Sequence, residues 1–348
     1  MAQQTALLVT EVGKPLVRGS RPVPEPKDDQ VLIKITSAGL NAHDEKSRDR
    51  GLFVKDALPA ILAADLAGIV TCVGPNVTRF NQGDHIFGQS DLGDANTGGL
   101  QEYAILYERF SAKVPSGFSD AQLASLPVNL VTAAVALFDP TCFDIPSPWS
   151  DDRHGFDYKS QSILIVGGGS NTGKFAIQLA ALAGFGKIIV VAGLKGEQVA
   201  KSLGATHVVD RGKSLPTIVA DVRKITGDNL IYALDTINAV DRQVLGVEAL
   251  SNSKPGKFAR LLPSGSIDET KLSSNKAAGF QTLDVFGASI ARPDISIPLW
   301  EGLSGFVQEG KIKPLGYHVI KGLDVDAINE TLDGYSNGSV SGQWQVHV

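Results

Sequence analysis

The fold class this sequence predicts is α/β, with a β-rich N-terminal region and a doubly wound parallel sheet after it. Three observations predict it. Short β-branched runs alternate with helical stretches from Ser162 onward, a glycine-rich turn joins the first run to the first helix, and the chain before Val114 reads as brief strands separated by turns.

In chain order, the N-terminal stretch holds ALLVTEVG, PVPEPKDD, VLIKITSAG, GIVTCVG, GDHIFGQ and LQEYAIL, pieces broken at close intervals by Pro and Gly. Helical periodicity is sparse there, which predicts a barrel-like or irregular β domain with its chemistry on loops. Near Ala121 the pattern changes. AQLASLPVNLVTAAVALF carries apolar residues at three- and four-residue spacing, interrupted by Pro127, and predicts helices feeding a second domain. Residues 139–159, with Pro140, Pro148 and the charged DDRHG, predict a long surface loop. Strands follow at SILIV (Ser162–Val166), IIVV (188–191), THVVD, LIYALD (230–235), FARLL (258–262) and LDVFGAS (283–289), with helices in KFAIQLAALAG and GEQVAKSLG. Strands separated by helices pair in parallel through right-handed crossovers. The tail from Pro298 predicts a helix over 299–309, a GKIKP turn and a last strand in WQVHV.

Composition narrows the function. The chain has 348 residues, enough for two domains of roughly 150 each, and its 43% hydrophobic and 20% charged residues describe a water-soluble globular protein. The 32 Lys and Arg against 37 Asp and Glu leave a net charge of −5, so no cationic excess is available for a nucleic-acid backbone. Cys72 and Cys142 are too few for a disulfide-stapled fold or a four-cysteine metal cluster. The N-terminus lacks a basic segment followed by an apolar one, and no stretch reads as about 18 apolar residues in a row. A cytoplasmic protein that meets neither nucleic acid nor membrane is the expectation.

The strand ending at Val166 runs into Gly167, Gly168, Gly169, Ser170, Asn171, Thr172 and Gly173, and then into a helix. Such a turn gathers free main-chain N–H groups at a helix N-terminus, where an anionic phosphate is the natural occupant. Ser170 stands where the usual G-x-G-x-x-G fingerprint has its middle glycine, yet the strand, turn and helix order is that of a dinucleotide site. At the end of the second strand of such a site, NAD binders place an acid that holds the ribose hydroxyls. Here Val191, Ala192, Gly193, Leu194 and Lys195 supply none before Glu197. Lys195, with Arg211 after the third strand, would pair with a 2′-phosphate instead, which favours NADPH over NADH.

With these pieces in place the chain resembles the medium-chain dehydrogenase/reductase superfamily over nearly its whole length. The likeness is carried by SAGLNAHD (37–44), LAADLAGIVTCVGPNVTRFNQGDHIFG (62–88), GGLQEYA (98–104), LPVNLVTAAVAL (126–137), the glycine turn, AKSLGATHVVD (200–210) and GSVSGQWQV (338–346). It implies a GroES-like β domain built from both chain ends, 1–128 and 296–348, around an inserted Rossmann domain, 129–295, with the active site in the cleft between them. Zinc-dependent members carry Cys where Asn41 stands and a His-Glu pair where Ala64 and Asp65 stand, and a four-cysteine lobe is absent between Gly88 and Gly99. No set of three converging donors remains, so no metal is expected. His43 beside Asp44 lacks a third donor, and Asp65 and Asp84 read as turn-capping residues.

The zinc-free branch, which includes quinone oxidoreductases and enoyl reductases, has G-L-N-P-x-D where this chain has GLNAHD, with Ala42 in place of Pro. Within it the chain is similar to fungal trans-acting enoyl reductases, whose active-site lysine matches Lys46 and whose threonine in the helix entering the nucleotide domain matches Thr132. The resemblance implies Asn41 as a carboxamide donor, Lys46 as an electrostatic stabiliser and Thr132 as a cofactor anchor. Tyr103 is a further proton-donor position, though a strand tyrosine more often belongs to a core, and His154 reads as solvated. The expected activity is NADPH-dependent, zinc-independent hydride transfer to the C=C of an α,β-unsaturated carbonyl or to a quinone. Aldehyde reduction, action on carrier-bound acyl chains of a polyketide synthase, and NADPH binding with little turnover are the alternatives. The substrate is a small molecule or such a carrier-bound chain, and relatives are monomers or dimers.

Overall fold

The computed structural model describes residues 2–238, 242–262 and 265–348. They form two compact units, one of Met1–Val128 with Ala288–Val348, the other of Asn129–Gly287.

The first unit is β-rich. β1 (Gln3–Leu8) and β2 (Val17–Pro22) form an antiparallel pair. The main sheet is built from β3 (Gln30–Leu40), β4 (Asp65–Val73), β5 (His85–Gln89), β6 (Tyr103–Tyr107), β7 (Ser111–Lys113), β14 (Tyr317–Lys321) and β15 (Gln343–His347). Its order is β14-β15-β3-β4-β5-β7, with β6 also paired to β3. The C-terminal β15 runs antiparallel to β3, Trp344 opposite Leu40 and Val346 opposite Ala38, so both chain ends share one sheet, as a GroES-like domain requires. One face of this sheet closes over a core that includes Val31, Ile33, Ile35, Leu66, Ile86 and Val346.

One helix here escapes apolar periodicity. α1 (Ala42–Arg50) buries Asp44, Glu45, Ser47 and Arg48 and has no apolar stripe. Its ends define it: Asn41 is the N-cap, Asp44 Oδ2 accepts Asn41 N at 2.7 Å, and Gly51 closes it at φ 71°. α9 (Val325–Asn337) starts on Asp324, whose carboxylate accepts the Asp326 and Ala327 N–H groups. Arg48 ties α1 to α9 through Asp333 and Asn329. α8 (Pro293–Gln308) begins earlier than the expected 299, because Pro293 sits at its first position and Pro298 is accommodated inside it. The chain rejoins this unit at Ala288 rather than at 296, where Ser289 N and Oγ both donate to Gln89 Oε1.

The region leading into the second unit contains α2 (Asp120–Leu123) and α3 (Pro127–Phe138), parted before Pro127. Taken together, Asp120–Phe138 is long and apolar enough to cross a membrane, contrary to the expectation, but 83% of it is buried, which suits the core helix of a globular unit. The second unit alternates β8 (Ser162–Val166), α4 (Asn171–Ala183), β9 (Lys187–Ala192), α5 (Glu197–Ser202), β10 (His207–Asp210), α6 (Leu215–Thr226), β11 (Tyr232–Asp235), α7 (Val244–Ala249), β12 (Gly256–Arg260) and β13 (Phe280–Asp284). Its strands are all parallel in the order β10-β9-β8-β11-β12-β13, the doubly wound Rossmann arrangement, and the strand order reverses beside β8. β12 and β13 each fall a few residues before the apolar runs that suggested them, because the ladder pairs Gly256 with Phe280 and ends at Arg260 and Asp284.

The expected surface loop at 139–159 is a correction. Its first half is packed: Cys142, Phe143 and Ile145 are buried, and Phe143 meets the Tyr232 ring at 5.2 Å. Trp149 lies edge-on to Phe138, and Lys257 Nζ donates to Phe143 O at 2.7 Å. The apolar residues between the prolines turn inward while Pro140, Thr141 and Asp144 stay exposed, and the charged turn Asp151–Gly155, with His154, is mostly exposed.

Candidate functional site

The glycine turn lies at the carboxyl end of β8, next to the point where the strand order reverses. Gly167 adopts φ +90°, and a Cβ there would strike Thr236 Oγ1 at 2.6 Å, so only glycine fits. Gly167 N and Gly168 N both donate to Val191 O, fastening the turn to β9. Gly173 brings α4 against the turn, a Cβ there falling 2.4 Å from Gly167 O. Ser170 is the N-cap of α4: its Oγ accepts Gly173 N at 2.9 Å and lies 2.8 Å from Thr236 Oγ1, which is 3.0 Å from Val166 O. Thr172 Oγ1 donates to Asn129 Oδ1 at 2.9 Å, and Asn171 opens the helix.

These bonds leave a defined vacancy in the main-chain accounting. Among the described residues, Gly169 N and Thr172 N have no acceptor, and a Cβ on Gly169 would meet nothing within 4 Å. Two donors and open space at a helix N-terminus fit the pyrophosphate of a dinucleotide. Lys174, in the first turn of α4, makes no ion pair among the described residues, and burial lowers its pKa. Asp235, at the end of β11, is held above the usual carboxylate range by burial and turns into its own loop, accepting Ile237 N and Asn238 N.

At the end of β9, Ala192 and Gly193 lead to exposed Leu194 and Lys195. The Arg211 guanidinium lies alongside, with Nε 3.5 Å from where a Cβ on Gly193 would be. Neither Lys195 nor Arg211 forms an ion pair among the described residues, and Glu197 is paired with Lys201 at 2.6 Å. The nearest ladder acid, Asp210, accepts Gly212 N at 2.9 Å in its own turn.

In the first unit, Asn41 and Lys46 both belong to the α1 corner. Asn41 is buried, and its Nδ2 donates to Asp65 Oδ2 at 2.7 Å. Asp65 is therefore no surface turn cap: it opens β4, is fully buried, and also accepts Val128 N at 2.6 Å. Burial pushes its carboxyl up to about 7; the bonds from Asn41 and Val128 oppose that rise and the neighbouring Asp44 adds to it. Tyr335, on α9, is raised in the same way, by burial first and then by Asp44 and Asp65. Lys46 Nζ donates to Ala42 O at 3.1 Å and lies 3.5 Å from Glu45 Oε2, with 31% of its side chain exposed. Asp84 does cap its turn, accepting Asn81 N, and also pairs with Lys113. Tyr103 is half-buried at the start of β6. Thr132 lies on α3 of the second unit, so close to Gly287 that a Cβ there would fall 2.1 Å from its Oγ1.

Residues outside the sequence reading complete both places. Thr236 and Asn129 brace the turn, and Tyr335 and Gln343 join Asn41 around Asp65. None of these four carried a signal in the sequence; Asp65, a lone acid in an apolar run, did, and was read as a turn cap.

Comparison with known proteins agrees with this architecture. Residues 27–116 match the family described as the alcohol dehydrogenase GroES-like domain, and residues 172–290 match the one described as zinc-binding dehydrogenase. A trans-enoyl reductase of Fusarium heterosporum is 33% identical over 268 residues, 75% of this chain and 71% of that protein. The enoyl reductase component of the lovastatin nonaketide synthase of Aspergillus terreus is 28% identical over 356 residues, covering 98% and 95% of the two chains. An alcohol dehydrogenase superfamily protein from Novosphingobium aromaticivorans superposes with a TM-score of 0.79 at 25% identity over 99% of each chain. Zinc, implied by one of these descriptions, does not fit the residues present. Asn41 turns its nitrogen to Asp65, Ala64 has no donor atom, and no three His, Cys, Asp or Glu side chains converge among the described residues.

Proposed function

Because the chain belongs to the medium-chain dehydrogenase/reductase superfamily, whose members use a nicotinamide dinucleotide, we propose that it is an NADPH-dependent, zinc-independent reductase. It reduces the activated C=C of an α,β-unsaturated carbonyl, or a quinone. The observation that carries the reading is the turn with Gly169 N and Thr172 N unsatisfied, next to a β9 end that offers Lys195 and Arg211 in place of an acid. The names of the fungal relatives support the enoyl class.

When bound, the dinucleotide supplies the hydride. Gly169 and Thr172 would hold its pyrophosphate through main-chain N–H groups, with Gly167, Gly168, Gly173, Ser170 and Asn171 shaping the cradle, and Lys195 and Arg211 would pair with the 2′-phosphate. Asn41 and Lys46 would supply the polar and electrostatic complement to negative charge on the acceptor oxygen. Thr132 would anchor the cofactor from α3. The final proton comes from water, which needs no dedicated acid.

A panel of menadione, cinnamaldehyde, a saturated aldehyde and a carrier-bound enoyl thioester, each with NADPH and NADH, tests the reading. Saturation of the cinnamaldehyde C=C or menadione reduction with NADPH supports it. Turnover of the carrier-bound substrate alone would make the protein a partner of a polyketide synthase, and turnover of the saturated aldehyde alone would replace C=C reduction by aldehyde reduction. Stoichiometric zinc required for turnover would contradict the metal-free centre.

A further inference from the structure

Two positions that would have to be remade to hold zinc are bonded to each other instead. Asn41 Nδ2 donates to Asp65 Oδ2 at 2.7 Å, while Val128 N donates to Asp65 Oδ1 at 2.6 Å. In its ionised form Asp65 only accepts, so in that state the end of the Asn41 side chain turned to it is the nitrogen. The Asn41 backbone is held as well: its N donates to Asp44 Oδ2 at 2.7 Å, and Asp44 Oδ1 accepts Ala63 N at 2.9 Å. Gly39 gives Asp65 its room, since a Cβ there would fall 2.9 Å from Asp65 Cβ.

Among the described residues, Asp65 has no cation to compensate its burial. The groups facing it are the Asn41 amide and Asp44 from α1, the Val128 amide from α3, Tyr335 from α9, Gln343 from β15 and Gln89 opposite on β5. A buried acid surrounded by neutral donors and a second acid costs stability that an apolar residue at a strand start would not. We propose that Asp65 is a positioning residue for the reduction, holding the Asn41 carboxamide in one of its two flip states so that it presents a fixed hydrogen-bonding edge to cofactor or substrate. This rests on the reading of the chain as a reductase that uses Asn41.

Asp65→Asn tests it. An amide at position 65 cannot accept from both Asn41 and Val128 through an oxygen at each end, so one donor is left facing a donor. With menadione or cinnamaldehyde, kcat falls about tenfold while the Kd for NADPH stays within about twofold. The double variant Asn41→Ala with Asp65→Asn loses no more kcat than Asn41→Ala alone, because both changes remove one arrangement. Full kcat in Asp65→Asn, or multiplicative losses in the double variant, would overturn the proposal. The Asn41 side-chain amide, observed by nitrogen-15 NMR without substrate, reads the same claim independently of turnover. Two resolved, slowly exchanging protons in the wild type that become fast-exchanging in Asp65→Asn support it, and a fast-exchanging wild-type amide overturns it. If the wild type binds NADPH but reduces none of the probes, the reductase reading fails and the amide signal alone decides the positioning of Asn41. Should Asp65→Asn not fold, Asp65→Glu keeps two acceptor oxygens: a protected Asn41 amide with a smaller kcat loss than Asn41→Ala supports the proposal, and an unprotected one overturns it.

Discussion

The glycine turn and the Asn41 corner solve the placing of polar groups by opposite means. In the turn the chemistry belongs to the main chain: glycines let the backbone bend, Ser170 and Thr236 brace it, and unsatisfied N–H groups remain for an anion. At the corner the main chain is ordinary strand and helix, and the chemistry belongs to side chains, with Asn41 fixed by Asp65 and Asp44 inside a buried pocket of acids. The first arrangement tolerates no added atoms at Gly167 or Gly173, whereas the second tolerates no change of donor into acceptor.

Substitution of the glycine that lets α4 close on the turn gives the sharpest contrast. Gly173→Ala places a Cβ 2.4 Å from Gly167 O, so the affinity for NADPH falls by about a hundredfold, roughly 2.7 kcal/mol. Gly169→Ala, whose Cβ meets no protein atom within 4 Å, leaves thermal stability unchanged and weakens NADPH binding alone. If calorimetry finds both glycine variants equally destabilised without ligand, the division between shaping and contacting positions is wrong.

At the corner, the corresponding break is in pH. The folded-state pKa of Asp65, about 7, lies above that of an unfolded aspartate, so the folded protein binds the proton more tightly. Its contribution is fully present below about pH 4 and is lost as pH rises through about 7. Denaturant unfolding should therefore show wild type losing about 2 kcal/mol relative to Asp65→Asn between about pH 5 and 8. A difference that does not vary with pH would mean that Asp65 titrates like an exposed acid.

Smaller effects follow at the rim of the turn. Lys195→Ala raises KM for NADPH about tenfold, roughly 1.4 kcal/mol, and leaves KM for NADH nearly unchanged. Equal changes for both cofactors would remove the 2′-phosphate from the account. Ser170→Ala, which deletes the cap of α4 and the partner of Thr236, lowers stability by about 1 kcal/mol, measurable as a shift in the denaturation midpoint.

The same contrast explains what could be read in advance. β8 was legible residue for residue, and the turn with it, because a buried parallel strand, a glycine bend and a helix start are written in neighbouring residues. α1, β2 and β14 were not, since a polar helix held by its caps and short edge strands carry little apolar periodicity; α9 was missed although Ile328 and Leu332 recur at helical spacing on its core face. The buried half of 139–159 was misjudged because its prolines are local whereas the Tyr232 ring that covers Phe143 is not. Asp65 meets Asn41 and Val128 across 24 and 63 residues. No local pattern announces such a bond, and Asn41 was legible only through its resemblance to a known motif.

Titration calorimetry of the purified protein with NADPH and with NADH bears most directly on the dinucleotide turn. One NADPH bound per chain, with a Kd about tenfold below that for NADH, is the predicted result. Absence of binding for both nucleotides would contradict it.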